Sequence, residues 1–314
     1  MKLAIIAGGN GLIGRSLATQ LLQKFIPVII LGSSTRLHKD LDKFNSKIIS
    51  YVNVKNNPGY ISKLESEIKT NINFSEDSVF FNLAWRGKKL IKDGDISDQL
   101  QNVRLSCDFV KLAKDLKARK YILAGSMEEL IFERFVDSNL WRSNIEIYKP
   151  NWYALAKVAC RNQCAFEAYV QKIDFCYATI SAVVDKKLRT EKFIETSIKN
   201  ILKGCKIPIV ENKELHNICS TDEISRQLIA IAKNGVNKSN YVLGTGESWS
   251  LQEYFIKLEE IKKNNNNNFL ISNNLNNIGI LKKKDFEISN LTRDTGYKTS
   301  ENINKLFNDI IQLL

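Results

Sequence analysis

A tyrosine and a lysine four residues apart are the strongest candidates for acid–base chemistry in this chain. Tyr153 and Lys157 fall in the first turns of a helix predicted over 152–172, so their side chains share one face. A free tyrosine has a pKa of about 10 and is a poor proton donor at neutral pH, but a neighbouring ammonium stabilises the phenolate and lowers that pKa. Ser126, which follows a predicted strand at 121–124, can hold a substrate oxygen beside the phenol. These three residues form the predicted catalytic group.

Gly8, Gly11 and Gly14 lie where the first predicted strand, 3–7, leads into the first predicted helix, 12–25. In that position one glycine permits a tight turn, the next lets backbone N–H groups approach a pyrophosphate, and the last allows close packing of strand and helix. The helix N-terminus adds a partial positive charge that attracts phosphate. The turn therefore predicts a dinucleotide site. Its expected binding residues are Gly8, Gly11, Leu12, Ile13 and Gly14.

The end of the second predicted strand, 28–31, indicates which dinucleotide is bound. Enzymes that use NAD usually carry an acidic residue there, which binds the ribose hydroxyls. This chain instead has Ser33, Ser34 and Arg36, and an arginine can bind the 2′-phosphate of NADP with two charge-assisted hydrogen bonds. A polar loop with a surface arginine is the alternative interpretation. We expect NADP (as NADPH) to be the cofactor, with NAD as the second choice.

Short apolar runs alternate with amphipathic stretches through the first 185 residues, a pattern typical of strands and helices on a parallel sheet. Ligands of such sheets bind beyond the carboxyl ends of the strands. The predicted strands are 3–7, 28–31, 47–54, 79–84, 121–124 and 175–184, and the helices between them are 12–25, 99–116 and 152–172. Beyond residue 185 the predicted elements are helices at 193–203, 221–233, 251–261 and from about 302, a strand at 207–210 and an asparagine-rich loop at 264–268.

The expected fold is α/β, a Rossmann-type doubly wound parallel sheet with a smaller α/β C-terminal lobe that binds substrate. We expect the dinucleotide-binding domain over 1–181, rejoined by about 215–245, and the lobe over 182–214 and 246–314. A chain of 314 residues is long enough to bury such a core without disulfides.

Several segments of the chain resemble the extended short-chain dehydrogenase/reductases, the group of nucleotide-sugar epimerases, dehydratases and reductases. They are AGGNGLIG at 7–14, NLA at 82–84, Asn102 within a predicted helix, AGSMEEL at 124–130, YALAK at 153–157 and, more weakly, HNICSTDEIS at 216–225. The resemblance implies that Ser126, Tyr153 and Lys157 are catalytic and that Lys157 also binds the nicotinamide ribose.

The same resemblance implies further roles. Asn102 would order a proton-relay water, and Leu83 and Ala84 would line the cofactor. The helices at 99–117 and 152–172 would pair with those of a second subunit, so a homodimer is expected.

The chain departs from the family pattern at three places. Asn53 and Val54 stand where the family often has an aspartate and an aliphatic residue beside the adenine, and asparagine can make a similar hydrogen bond. Residues 178–185 lack the usual Asn-x-Tyr-Gly substrate turn. His216 stands where an arginine usually binds the diphosphate of the sugar nucleotide. A partly charged histidine could serve there, and a structural surface histidine is the alternative.

The residues after Ser126 bear on the reaction. Met127 and Glu128 stand where dehydratases of the family carry an Asp-Glu pair. Methionine cannot donate a proton, so dehydration is disfavoured, although Glu128 keeps it open. We expect NADPH-dependent reduction of the 4-keto group of a nucleoside-diphosphate 6-deoxy sugar, with an NAD-dependent 4-epimerase or dehydratase as the alternative. Trp85 and Arg86 are expected to contact the sugar or phosphate of this nucleotide-sugar substrate, or else to pack their loop.

Composition excludes several other classes. The formal net charge is +12, but the lysine excess accompanies abundant asparagine, and arginine and aromatic residues do not cluster as a nucleic-acid surface requires. No apolar run is long enough to span a bilayer. Six cysteines without C-x-x-C spacing indicate reduced thiols in the cytoplasm, and no histidine–cysteine cluster predicts a metal. We expect neither nucleic acid nor membrane as partner. A non-enzymatic Rossmann sensor or RNA-binding protein is the more remote alternative.

Overall fold

A seven-stranded parallel sheet forms the centre of the computed structural model, which describes residues 1–44, 49–54, 64–66, 68, 77–86, 96–139, 152–211, 214–263 and 279–313. The described strands are β1 (Leu3–Ala7), β2 (Val28–Gly32), β3 (Ile49–Asn53), β4 (Ser78–Asn82), β5 (Ala118–Ser126), β6 (Asp174–Ile180), β7 (Ala182–Val184), β8 (Leu215–His216), β9 (Ile218–Ser220), β10 (Ser239–Leu243) and β11 (Trp249–Ser250). From one edge of the large sheet to the other, the strand order is β10, β6, β5, β4, β1, β2 and β3.

Helices cover both faces of the large sheet, which makes the fold a doubly wound α/β fold of the Rossmann type, as the sequence predicts. The first and sixth helices pack on one face, and the second and fourth on the other. The described helices are α1 (Leu12–Gln23), α2 (Ile96–Asp115), α3 (Met127–Asp137), α4 (Trp152–Gln171), α5 (Phe193–Leu202), α6 (Thr221–Asn234), α7 (Leu251–Lys263), α8 (Ser289–Thr295) and α9 (Ile303–Leu313).

The apolar runs form strands because both of their faces are buried. β1, β2 and β4 are buried along their whole length, as expected for parallel strands between two helical layers. Neighbouring side chains of β1 point to opposite faces: Ile6 packs in the cluster of Leu17 and Leu228, and Ile5 packs in the cluster of Phe109. Apolar layers on both faces of the sheet therefore fix β1, whose carboxyl end leads into the glycine turn.

A smaller group of elements follows β6. β7 pairs in parallel with β9, and β8 pairs in antiparallel fashion with β11. α5, α7 and α9 contribute Ile198, Phe255 and Phe307 to an apolar cluster of their own. α6 and β10 instead return to the large sheet, where β10 pairs with β6.

Two predicted strands are wrong. Residues 207–210 form no strand, because Pro208 has no N–H for a ladder and Ile209 is 89% exposed. The predicted strand over 175–184 is two strands, because the chain leaves the large sheet at Ser181 and continues as β7 beside β9.

Several elements of the structure were not predicted from the sequence. They are α3, α8, β10 and the short strands β8, β9 and β11. The asparagine-rich loop at 264–268, and residues 47 and 48 of the predicted third strand, lie outside the described residues.

The carboxylate of Glu223, in the first turn of α6, ties this helix to the segment after α8. It is fully buried and accepts hydrogen bonds from Arg226, from Gln227 (3.1 Å), and from the hydroxyls of Tyr297 and Thr299 (2.8 Å each). Burial alone would raise the pKa of this carboxyl, but the hydrogen bonds from Arg226, Tyr297 and Thr299 outweigh burial and lower it below the ordinary value of 4.5. The charged form of Glu223 is therefore part of the folded state.

Replacing Glu223 by glutamine is expected to lower the free energy of unfolding by about 1.5–3 kcal/mol near neutral pH, because charged hydrogen bonds are lost. The folded-state pKa is lowered, so this stabilisation is present above 4.5 and is lost as the pH falls through the folded-state value. In urea unfolding, the difference between wild type and Glu223→Gln should therefore shrink on acidification. The exposed change Glu191→Gln serves as control, and a deficit in Glu223→Gln that is equal at all pH values would contradict the prediction.

Candidate active site

Gly8 directly follows β1, at a point where two loops approach each other. Its φ of +79° lies in the left-handed region that favours glycine, and its N–H donates to the Leu31 carbonyl oxygen at 2.8 Å. The Leu83 N–H donates to the Ala7 carbonyl oxygen at 2.9 Å. A Cβ atom on residue 8 would lie 2.8 Å from the backbone nitrogen of Ala84. Gly8 therefore lets the loop after β4 lie directly against the glycine turn.

The N-terminus of α1 is open at this turn. Gly11 is the N-cap, no described side chain caps the helix, and no acidic residue lies in its first turn. Gly14 packs so tightly on the turn that a Cβ there would overlap the Gly8 carbonyl oxygen. The first backbone N–H groups of the helix, at Leu12 and Ile13, lie in this uncapped turn. These features fit the pyrophosphate of a dinucleotide.

The loop after β2 presents hydroxyl groups and a guanidinium. Ser33, Ser34 and Arg36 are all exposed. Asn10 holds the loop, because its Nδ2 donates to Ser34 Oγ (2.5 Å) and to the Arg36 carbonyl oxygen (3.1 Å). The Tyr51 hydroxyl donates to the Ser34 carbonyl oxygen at 2.7 Å. The sequence analysis missed Asn10 and Tyr51, whose roles depend on contacts between distant parts of the chain.

Asn53 and Val54, at the end of β3, close the same loop from its other side. Asn53 Nδ2 donates to the Ser34 carbonyl oxygen at 2.7 Å. Val54 is buried, and its N–H donates to the Gly32 carbonyl oxygen at 2.7 Å. The Val54 carbonyl oxygen accepts from Arg86 Nη2 at 3.3 Å. Asn53 supports the loop backbone here, and its hydrogen bond to an adenine stays a prediction.

Two buried asparagines fix the loop after β4. Asn82 Oδ1 accepts the N–H of Ala84 at 3.1 Å. Asn102 Oδ1 accepts the Arg86 N–H at 2.9 Å, and its Nδ2 donates to the carbonyl oxygens of Arg86 and Asp98 at 3.1 Å each. The amide of Asn102, expected to order a water, therefore binds the loop backbone, and its role toward water stays a prediction.

Tyr153 and Lys157 lie in the first two turns of α4. Lys157 is only 6% exposed, its Nζ donates to the Ala124 carbonyl oxygen at 2.9 Å, and this nitrogen lies 6.0 Å from the centroid of the Tyr153 ring. Ser126 ends β5 two residues after Ala124. The lysine is therefore anchored to the strand end that carries the serine, at the carboxyl edge of the parallel sheet where the glycine turn also lies.

Trp85, in the loop after β4, contacts both members of the pair. Lys157 Nζ lies 4.0 Å from the centroid of the Trp85 ring. The rings of Trp85 and Tyr153 are 5.7 Å apart between centroids and nearly perpendicular, at 88°. The indole Nε1 donates to Gln99 Oε1 at 3.0 Å. The loop that touches Gly8 therefore also touches the Tyr–Lys pair.

Ser126 also caps α3. Its Oγ accepts the N–H of Glu128 at 3.3 Å, and its own N–H donates to Glu129 Oε1 at 2.8 Å. Glu129 is 1% exposed and also accepts a hydrogen bond from the Tyr177 hydroxyl. Burial raises the pKa of the Glu129 carboxyl. The sequence analysis missed Glu129, although Ser-x-x-Glu spacing is the signature of such a capping box.

Burial affects two of the predicted site residues, Met127 and His216. Met127 is buried in an apolar cluster with Leu215 and Phe286, so its position offers packing. His216 is half-buried in β8, opposite Trp249. Burial lowers the pKa of His216 to about 4, so the side chain is neutral near pH 7. Near pH 7 the His216 side chain therefore brings no charge to a diphosphate, and its role in substrate binding stays a prediction.

The described residues form neither a metal-binding cluster nor a membrane-spanning helix. In the part of the chain that the structure describes, no group of three or more His, Cys, Asp or Glu side chains could hold a metal ion. The six cysteines are free thiols, and Cys164 Sγ lies 3.8 Å from the sulfurs of both Cys107 and Cys160. Among the described helices, none combines the length and apolar character needed to cross a bilayer.

The sequence matches the model of the NAD dependent epimerase/dehydratase family over residues 4–244. This match covers most of the chain, which therefore belongs to that family. A comparison with curated protein sequences found no match.

Solved structures with the same fold include enzymes of nucleotide-sugar chemistry. The Bordetella bronchiseptica enzyme WbmG, in complex with NAD and UDP, has a TM-score of 0.70 at 13% identity, covering 99% of this chain and 94% of that one. UDP-glucose 4-epimerase from Thermotoga maritima, with UDP-glucose, has 0.71 at 12%, covering 99% and 98%. dTDP-glucose 4,6-dehydratase from Bacillus anthracis, in complex with NAD, has 0.70 at 15%, covering 100% and 96%. At these identities the likeness establishes the fold.

Proposed function

We propose that this chain reduces the 4-keto group of a nucleoside-diphosphate 6-deoxy sugar with NADPH. The observation that carries the proposal is the buried Lys157, anchored on the strand end of Ser126 and next to Tyr153. Family membership supports a nicotinamide dinucleotide at the glycine turn. The structures of relatives with UDP or UDP-glucose support a sugar nucleotide as substrate.

Each residue of the group has a defined task in the proposed reaction. The bound cofactor supplies a hydride to the carbonyl carbon. Tyr153 donates its phenolic proton to the carbonyl oxygen, so the ketone becomes a secondary alcohol. Lys157 stabilises the phenolate that remains, and it also binds the ribose of the cofactor. The Ser126 hydroxyl donates a hydrogen bond to the same oxygen and orients it.

The loop after β2 supports NADPH over NADH. Arg36 is exposed, and Ser33 and Ser34 add hydroxyl groups beside it. Asp40, which follows this loop, is paired with Arg189 at 2.6 Å. A 2′-phosphate would gain charge-assisted hydrogen bonds at this loop, whereas the loop residues 33–38 carry no carboxylate for a ribose hydroxyl.

The substrate side of the proposal rests on the part of the chain after β6. We propose that residues 182–214 and 246–314 form the lobe that binds the sugar nucleotide, and that 1–181 with about 215–245 form the dinucleotide domain. Arg86 is the proposed cation for the diphosphate, since His216 is neutral. Glu128 is half-buried in the first turn of α3 and is proposed to contact the sugar.

A homodimer is also proposed. The outer surfaces of α2 and α4 carry exposed apolar side chains that a second copy would cover. They are Ile96, Leu100, Leu155, Phe166, Tyr169 and Val170.

The second candidate is an NAD-dependent 4-epimerase, which the NAD-bound and epimerase structures of relatives favour. An epimerase uses the same tyrosine and lysine but must retain its cofactor through oxidation and re-reduction. A dehydratase would need an acid next to Ser126. The buried Met127 at that position weighs against it.

Calorimetry with NADPH and NADH tests the cofactor assignment directly. We expect wild type to prefer NADPH and Arg36→Ala to lose about 10- to 100-fold in NADPH affinity, because a charged hydrogen-bonded pair is removed. Arg104→Ala, an exposed arginine on α2, is the control. Turnover of NADPH with 4-keto-6-deoxy sugar nucleotides then tests the reaction. Equal or tighter binding of NADH, or NAD that copurifies with the protein, would favour the epimerase.

A further inference from the structure

We propose that Trp85 is a positioning residue, whose indole face holds the ammonium of Lys157 and whose edge holds the ring of Tyr153. This inference rests on the proposed function, because it assigns Trp85 to the same Tyr–Lys pair. It differs from a contact with sugar or phosphate, because it makes Trp85 act through Lys157.

The ammonium of Lys157 is buried, and a carbonyl oxygen and an indole ring lie close to it. Its Nζ donates to the Ala124 carbonyl oxygen at 2.9 Å and lies 4.0 Å from the centroid of Trp85. A buried ammonium needs compensation for the water it has lost. The carbonyl oxygen supplies one partner, and the negative face of the indole supplies another. The ring of Trp85 therefore gives the buried ammonium a second favourable contact.

The indole itself is fixed from two directions. Its N–H donates to Gln99, which is 1% exposed on α2. The backbone on either side is held by Asn82, through Ala84, and by Asn102, through Arg86. A ring held in this way cannot swing aside without breaking its hydrogen bond to Gln99. The position of Trp85 is therefore set before any ligand arrives.

The contact with Tyr153 completes the arrangement. The two rings meet edge to face, with 5.7 Å between centroids. One indole thus contacts both the proton donor and the cation that stabilises its phenolate. Two further titratable groups of the described chain interact with Lys157: Glu129, buried behind Ser126, and Cys160, one turn further along α4. Loss of the ring would remove the group that contacts both Lys157 and Tyr153.

Two substitutions separate the aromatic face from simple packing. Trp85→Phe keeps an aromatic face but loses the N–H, and Trp85→Leu loses both. We expect Trp85→Leu to lower kcat about 10-fold, and Trp85→Phe to restore most of kcat. A residue that only packed the loop would be replaced equally well by leucine.

A second readout needs no substrate. The ultraviolet absorbance of phenolate, titrated in wild type and in Tyr153→Phe, gives the ionisation of Tyr153 by difference. We expect Trp85→Leu to shift this ionisation to higher pH, in the same direction as Lys157→Met, and Trp85→Phe to shift it little. If Lys157→Met shifts the titration and Trp85→Leu does not, the role of Trp85 is wrong and the Tyr–Lys pair stands. If neither variant shifts it, the pair itself fails, and the proposed function fails with it.

Discussion

Replacing Tyr153 by phenylalanine is expected to lower kcat by about 10²- to 10⁴-fold, the usual loss when a general acid is removed. Phenylalanine keeps the ring that packs against Trp85 and removes only the hydroxyl. The affinity for NADPH should therefore stay unchanged while the chemical step slows. Consumption of NADPH with a nucleoside-diphosphate 4-keto-6-deoxy sugar measures the effect. The same loss is expected in a 4-epimerase assay, because both reactions need a proton at the sugar oxygen.

Tyr169→Phe is the matched control for this prediction. Tyr169 lies on the same helix, α4, but is 67% exposed and outside the pair. It should retain the activity of wild type. If Tyr153→Phe retained most of its kcat in both assays, the tyrosine could not be the proton donor, and the proposed reaction would lose its central residue.

Replacing Gly8 by alanine is expected to damage both stability and cofactor binding. The left-handed backbone costs about 1–2 kcal/mol with a Cβ atom, and the overlap with the Ala84 backbone adds about 1–3 kcal/mol. The loop after β4 must move to make room, and it carries Trp85. We expect a lower midpoint in urea unfolding and a Kd for NADPH raised by about 5- to 150-fold.

Gly204→Ala separates the two contributions to this effect. Gly204 also has a positive φ, +89°, but a Cβ atom there would meet nothing within 4 Å. It should cost only the conformational term of about 1–2 kcal/mol and leave NADPH binding unchanged. If the two variants had equal stability and equal NADPH affinity, the close approach at Gly8 would contribute nothing to folding or to NADPH binding.

Much of the fold could be predicted from local patterns. The strands β1, β2 and β4 are short apolar runs, and the turn after β1 is marked by glycines. α4 begins and ends within one residue of its predicted bounds, because its apolar stripe runs its full length. The family resemblance is confirmed by the match over residues 4–244.

Features that depend on tertiary contacts could not be predicted in this way. The strand after Asp174 is divided because β9 offers a partner to β7, and nothing in the residues 175–184 marks that change of sheet. The neutral state of His216 results from burial by distant elements. α3 is a different case, because the Ser-x-x-Glu spacing at its start is a local signal from which it could have been predicted.

The same distinction between local sequence patterns and tertiary contacts applies to the residues of the site. The spacing of Tyr153 and Lys157 is local and could be found from the sequence. The contact of Lys157 with Trp85 depends on the position of a loop far away along the chain. Asn10, Tyr51 and Gln99 were missed because their hydrogen bonds join segments that only the folded sheet brings together.

The strand order has a consequence for how the nascent chain matures on the ribosome. β6 is synthesised well before β10, its partner at the edge of the large sheet, and the chain between them builds β7, α5 and α6 first. Until β10 emerges, the outer backbone groups of β6 have no strand to pair with, and such an edge invites association with other chains. A truncated product that stops before Ser239 would keep the β6 edge unpaired, so fragments ending there should aggregate more readily than the full chain.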